Sequence, residues 1–207
     1  LNFAANTVYD TATNGINAFA QPKNVSLFVP DTSSPVLLSW GISINSSEIY
    51  LRFSEPVNSQ SVSVITLRLQ NSSSNIPQYS VVLTTASSVA TPSGTFMTIA
   101  VGVSDMNIIK DSTQLATNVI NSFLSFLPPL APIFALDMSN NSIVFVPEAY
   151  GLKASYVIGD QIPPQLVAFR FYPHTGTLQL TFSETISPYT FNVTSITLQN
   201  ARQVVAG

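Results

Sequence analysis

Few residues in this chain can carry out chemistry, and their spacing limits what that chemistry could be. It has one histidine, His174, and no cysteine, so there is little material for a Ser-His-Asp triad and no Cys-based metal site. No Gly-x-Ser-x-Gly elbow and no phosphate-binding Gly-rich loop is present. Glu55 and Glu184 follow the same Leu-x-Phe-Ser segment in two separate places. To act as a pair of catalytic carboxylates they would have to converge from different domains, and a strand-end role bonding backbone or meeting solvent is expected instead. Asp137-Met138-Ser139-Asn140-Asn141 and Asp105-Met106-Asn107 group hard oxygen donors as calcium loops do. Each lacks the Gly and distal bidentate Glu of an EF-hand, so Asx-type turns are expected. The same reading applies to Asp31 and Asp160. No catalytic residue, bound metal or cofactor is expected, and the chain reads as a non-enzyme.

The residues that do invite modification are the acceptors of five Asn-x-Ser/Thr sequons, at Asn24, Asn45, Asn71, Asn140 and Asn192. Each is a potential N-glycan site in a secreted protein. With 16 asparagines in the chain, several sequons arise by chance, so position carries the argument. Asn45 and Asn140 fall in expected hairpin turns, Asn71 in a Ser-rich loop, and Asn192 between the inward-facing Phe191 and Val193. Ser and Thr in 84–93 and the prolines of 127–132 read as ordinary loops that could carry O-linked sugars.

Composition points the same way. Hydrophobic residues make up 45% of the 207 positions and charged residues only 8%, far below the roughly 25% usual for soluble domains. Covalent glycans would keep so uncharged a surface in solution. Seven Lys and Arg against ten Asp and Glu leave no phosphate-neutralising surface, which argues against nucleic acid as a partner. No apolar run reaches the length of about 18 to 20 residues that spans a bilayer, and 123–136 is broken by Pro128, Pro129 and Pro132, so no membrane insertion is expected. Leu1 opens neither an initiator Met nor a signal-peptide pattern, so any leader is expected to lie outside these residues.

The elements that position these residues come from a repeat. Residues 31–71 and 160–200 align without a gap at an offset of 129, with 11 of 41 positions identical. The identities include Asp31/Asp160, Pro35/Pro164, Leu51/Leu180, Phe53/Phe182, Glu55/Glu184 and Gln70/Gln199. Many other positions exchange apolar for apolar, such as Trp40/Phe169 and Ile49/Leu178. The segments starting at Asp10 and Asp137 correspond more loosely, with a two-residue difference in length. Three regions follow: 1–30 as the last strands of a preceding unit or an N-terminal assembly segment, 31–159 as a complete unit, and 160–207 as the first strands of the next.

Alternation of apolar and polar residues marks strands at 48–53 and 177–182. Further strands are expected at 36–44, 62–69, 79–84, 96–101, 123–126, 133–136, 143–146 and 154–158. A helical turn is expected at 104–110, capped by Ser104 or Asp105, with 115–120 as a second candidate. Aromatic residues are expected as core filling more often than as a sugar-binding platform, with Trp40, Phe169 and Tyr172 as the candidates for exposure. Short strands separated by Pro, Gly, Asn and Ser predict an all-β chain of immunoglobulin-like β-sandwich repeats.

The pattern Asp-x-x-x-Pro-x-Leu, then Leu-x-Phe-Ser-Glu, then a run ending in Leu-Gln-Asn resembles the tandem Ig-like repeats of large extracellular proteins. It is similar to Ig-like modules of bacterial S-layer proteins and adhesins and to repeats in surface glycoproteins of algae and other protists, and mastigoneme-like appendages are a related possibility. The resemblance implies a secreted, cell-surface structural subunit that assembles head-to-tail with other copies of itself into a fibre or array. Complementation of incomplete terminal units is one expected route, and an adhesin or carbohydrate-binding stalk is the alternative. Thr185-Ile186 in place of Pro56-Val57 departs from the pattern.

Overall fold

The computed structural model describes residues 1–19, 21–128 and 133–200. The chain forms two compact units, Leu1–Ser33 and the remainder from Ser34 on.

The second unit is rich in β-structure and holds eleven strands among its described residues: β1 (Leu37–Ser43), β2 (Glu48–Val57), β3 (Leu67–Gln70), β4 (Ser80–Val82), β5 (Ser88–Val89), β6 (Gly94–Ala100), β7 (Phe123–Phe126), β8 (Leu152–Lys153), β9 (Tyr156–Ile158), β10 (Leu166–Tyr172) and β11 (Thr177–Phe182). One helix, α1 (Val103–Asp111), lies between β6 and β7. A five-stranded sheet has the order β5-β6-β2-β1-β9, a four-stranded sheet has the order β4-β3-β7-β8, and β10-β11 stand as a pair.

Alternation explains the hairpins. In β2, Ile49, Leu51 and Phe53 are buried while Tyr50 and Arg52 face outward, the period of two that a half-buried strand demands. The preceding turn needs a left-handed residue, supplied by Ser47 at φ 56. Apolar side chains of both larger sheets form one core cluster, with Trp40, Ile42, Leu51 and Met97 from the first and Leu67, Leu69, Leu124 and Phe126 from the second. Met106 and Ile109 of α1 join it. Asp105 sits in the first turn of α1 and Lys110 in the last, the placement that the helix dipole favours.

The repeat is a structural one. The pair β1-β2 matches Leu37 to Phe53, then Trp40 to Leu51 and Ile42 to Ile49, with a register shift between Leu37 and Ser39. The pair β10-β11 matches Leu166 to Phe182, Phe169 to Leu180 and Phe171 to Leu178, with the shift between Leu166 and Ala168. Every pair is displaced by 129 residues, bulge included. Ser54 Oγ accepts from the Val36 amide at 2.9 Å and Ser183 Oγ from the Gln165 amide at 2.9 Å. The 3-10 turns Ser59–Ser61 and Val64–Thr66 recur as Pro188–Thr190 and Val193–Ser195.

Several expected elements are shorter or absent. The strand expected at 62–69 begins only at Leu67, because the Thr66 amide and hydroxyl both turn back to the Ser63 carbonyl. Residues 133–136 and 143–146 form no strand of their own: Leu136 makes an isolated bridge to Ser142, the adjoining Asp137 bridges Val57, and the Ile143 amide donates to the Ala135 carbonyl at 3.1 Å. The helix is longer than one turn, its N-cap is Gly102 rather than Ser104 or Asp105, and 115–120 contains no α-helix. No helix among the described residues is long and apolar enough to cross a membrane.

The first unit folds back on itself. Its Tyr9 bridges Gly15, and the rings of Phe3 and Phe19 meet edge to face at 5.6 Å. A Cβ on Gly15 would fall 2.0 Å from Asn6 Oδ1, so a larger residue there would have to displace the Asn6 side chain.

Candidate functional site

Three charged groups of the second unit converge where the last turn of α1 meets the chain flanking β10 and β11. Lys110, in the last turn of α1, reaches Asp160 Oδ2 at 2.8 Å and Glu184 Oε2 at 2.9 Å. Asp160 opens the linker before β10, and Glu184 lies two residues beyond the end of β11. The Lys110 and Glu184 side chains are 17% and 14% exposed, so the contact is largely shielded from screening. Burial alone would lower the Lys110 pKa, but hydrogen bonds and charges from Asp160 and Glu184 outweigh it and raise the group above its ordinary 10.5. The hydrogen bond from Lys110 is the main reason Asp160 lies below the usual carboxylate range. The second Glu184 oxygen, Oε1, is buried without a hydrogen-bond partner. A cavity of about 310 Å³ beside these groups is lined by Ile44, Ile109, Lys110, Ala116, Gly159 and Thr185. Across the same junction the Gln161 amide donates to Asn45 Oδ1 at 3.3 Å.

Asp160 and Glu184 are both identical in the two copies. Their counterparts are Asp31 and Glu55. A carboxylate oxygen of Glu55 lies within 4.8 Å of one on Asp137. Asp137 is committed to its own loop, accepting from the Ser139 and Asn141 amides at 2.8 and 2.7 Å and from Asn141 Nδ2 at 2.7 Å. This loop also has a counterpart. Asp10 accepts from the Ala12 and Asn14 amides at 2.9 and 2.8 Å and from Asn14 Nδ2 at 2.9 Å. Thr13 and Asn140 both take φ 67 in these loops. Both sets of bonds are Asx-type turns that hold the carboxylate ionised, and both acids lie below their ordinary value.

Asp105 is likewise structural. It is fully buried and accepts from the Thr84 amide at 2.9 Å, Thr84 Oγ1 at 2.8 Å and Ser87 Oγ at 2.6 Å. Burial pushes the carboxyl up, but the bonds from Ser87 and Thr84 win and lower it. Gln70, identical in the two copies, is buried although its counterpart Gln199 is exposed. Gln70 donates to the Ser72 and Glu148 carbonyls at 2.7 Å each and accepts from Ser125 Oγ at 2.6 Å.

The remaining candidates stay apart. Among the sequon asparagines, Asn24, Asn45, Asn140 and Asn192 are exposed, while Asn71 is half-buried and accepts from the Tyr79 amide at 3.2 Å. Asn192 Oδ1 accepts from the hydroxyl of its own sequon partner Thr194 at 2.7 Å. His174 occupies the exposed β10-β11 turn. Trp40 is not an exposed platform: it is 2% exposed and its Nε1 donates to the Leu152 carbonyl at 2.7 Å. Phe169 is 58% exposed and Tyr172 37%. Of the proline-rich stretch 127–132, residues 129–132 lie outside the described residues.

Sequence reasoning missed the Lys110 contact. Lys110 is 74 residues from Glu184, and the only available hint was that both acids of the pair recur. Comparison with protein-family models, characterised proteins and solved structures gives no match.

Proposed function

We propose that the chain is a structural module of an extracellular glycoprotein fibre or surface array, built from immunoglobulin-like β-sandwich repeats that join head to tail with other copies of the same unit. Its role is mechanical: each repeat buries its own core and hands a defined geometry to the next. The observation that carries this reading is the recurrence, 129 residues apart, of one hairpin with the same register, bulge and 3-10 turns. The Lys110 contact to both repeat-identical acids supports it, since a tandem array needs a fixed joint.

Composition adds support. A surface short of charge and supplied with exposed sequons suits a secreted glycoprotein that is neither an enzyme nor dependent on a metal or cofactor.

Electron microscopy of material purified from the natural source, with intact mass measured before and after N-glycosidase, tests the proposal. The expected result is filaments or a lattice with an axial repeat of one module and a mass loss on deglycosylation. Dispersed monomeric particles without glycan would overturn it.

A further inference from the structure

The outer face of the five-stranded sheet carries side chains that the repeat fold does not call for. Tyr156 lies beside Tyr50 with ring centroids 6.1 Å apart and planes tilted by 38°. It can do so because β1 has glycine beneath it: a Cβ on Gly41 would meet the Tyr156 ring at 2.4 Å. The corresponding residue in the second copy is Arg170, which occupies the same register position in β10. The hairpin therefore does not need glycine, and Gly41 serves Tyr156. Tyr50 is fixed in turn, donating its hydroxyl proton to Glu48 and lying 3.3 Å from Ser46 Oγ.

One rung along, Arg52 pairs with Phe96 across β2 and β6, and its guanidinium sits over the Phe96 ring at 5.6 Å from the centroid. Phe96 is 67% exposed and Tyr156 41%. Among the described residues Arg52 makes no ion pair. Ser39 and Ser155 complete a shallow cleft of about 120 Å³ between the two pairs. In the second copy the outward positions of Ser39, Tyr50 and Arg52 are Ala168, Gln179 and Thr181, whereas the inward Leu51 and Phe53 are Leu180 and Phe182. The inward set is kept and the outward set is not, so packing does not account for the outward aromatics.

We propose that this face binds an acidic glycan, a chain bearing uronic acid residues. The C–H faces of the pyranose rings lie on Tyr50, Tyr156 and Phe96, which offer rigid aromatic area at little entropic cost. The Ser39 and Ser155 hydroxyls stand at the rim for sugar hydroxyls. The carboxylate pairs with Arg52, whose planar fork matches it and whose charge selects an acidic chain over a neutral one. The proposal does not depend on array formation, because the cleft lies wholly within the complete repeat.

The test is calorimetric titration of the whole chain with oligogalacturonate, alginate oligomers and hyaluronan fragments, and with oligogalacturonate methyl ester. At least one acidic oligomer should bind saturably, and the ester at least about tenfold more weakly than the acid, the loss of one charge-assisted contact. Arg52→Gln should weaken the acid by a similar factor and leave the ester unchanged. Phe96→Ala and Tyr156→Ala should weaken acid and ester alike, with an unchanged thermal midpoint showing that the fold is intact. Arg170→Gln, on the exposed β10, should bind as the unmodified chain does. Absence of saturable binding to every acidic oligomer would overturn the proposal. So would an ester that binds as tightly as the acid, or a loss on Arg170→Gln equal to that on Arg52→Gln.

Discussion

The hairpins β1-β2 and β10-β11 share a register, a bulge and a set of flanking turns, but not an environment. In the first, Trp40 and Ile42 are 2% exposed or less; in the second, their counterparts Phe169 and Phe171 are 58% and 47% exposed. The hairpin is therefore specified locally, by alternation, a four-residue turn and the serine that bonds back across the strand ends. Burial is supplied from farther away, by β6, β9 and the sheet containing β3 and β7. One sequence pattern thus yields one backbone, while its energetic weight depends on what else covers it.

That contrast predicts very unequal costs for equivalent substitutions. Trp40→Ala or Phe53→Ala should destabilise the complete repeat by about 3–5 kcal/mol, the range for emptying a large aromatic site in a packed core. Phe169→Ala should change the free energy of urea unfolding, followed by circular dichroism, by well under about 1 kcal/mol. Equal shifts at Trp40 and Phe169 would erase the distinction between the two hairpins.

Asp105→Ala comes next, at about 2–3 kcal/mol, because it removes both Thr84 bonds and strands the buried Ser87 hydroxyl. Asp105 has its pKa lowered on folding, so it contributes stability above its ordinary 3.8 that is lost as pH falls through the lower folded value. Acid unfolding of the unmodified chain and of Asp105→Asn, monitored by circular dichroism, should converge at the acid end. Parallel curves over the whole range would contradict this assignment.

Lys110→Met should have a small effect on global stability, about 1 kcal/mol or less for an ion pair whose Asp160 arm is 31% exposed. Its folded pKa is raised, so its contribution is complete below 10.5 and fades as pH climbs past the folded value. Its local effect should be larger: amide exchange in β10-β11 should speed up, and the charge swap Lys110→Glu with Glu184→Lys should restore protection. Unchanged exchange in Lys110→Met would mean that the contact does not hold the hairpin.

The sequence made the hairpins, the 129-residue repeat and the position of α1 legible, because each follows from local periodicity or from identity between copies. It exposed the Asp137 loop as an Asx turn for the same reason. It did not reveal the 3-10 turns within 59–66, where β-branched residues read as strand but Ser63 and Thr66 bond locally. Nor did it reveal the partner of the buried Trp40 indole, a carbonyl 112 residues away. Lys110 meeting Asp160 and Glu184 is likewise a consequence of tertiary placement, with no periodic signal of its own. The outer aromatic face was hidden because Tyr50, Phe96 and Tyr156 come from three separate strands, and only the sheet order sets them side by side.

The central claim is that the hairpins β1-β2 and β10-β11 follow one backbone path. Nuclear Overhauser contacts between strands of the whole chain in solution test it most directly. The account predicts cross-strand contacts pairing Phe169 with Leu180 and Phe171 with Leu178, matching Trp40 with Leu51 and Ile42 with Ile49. A β10-β11 register displaced by even one residue, or no pairing between these strands, would contradict it.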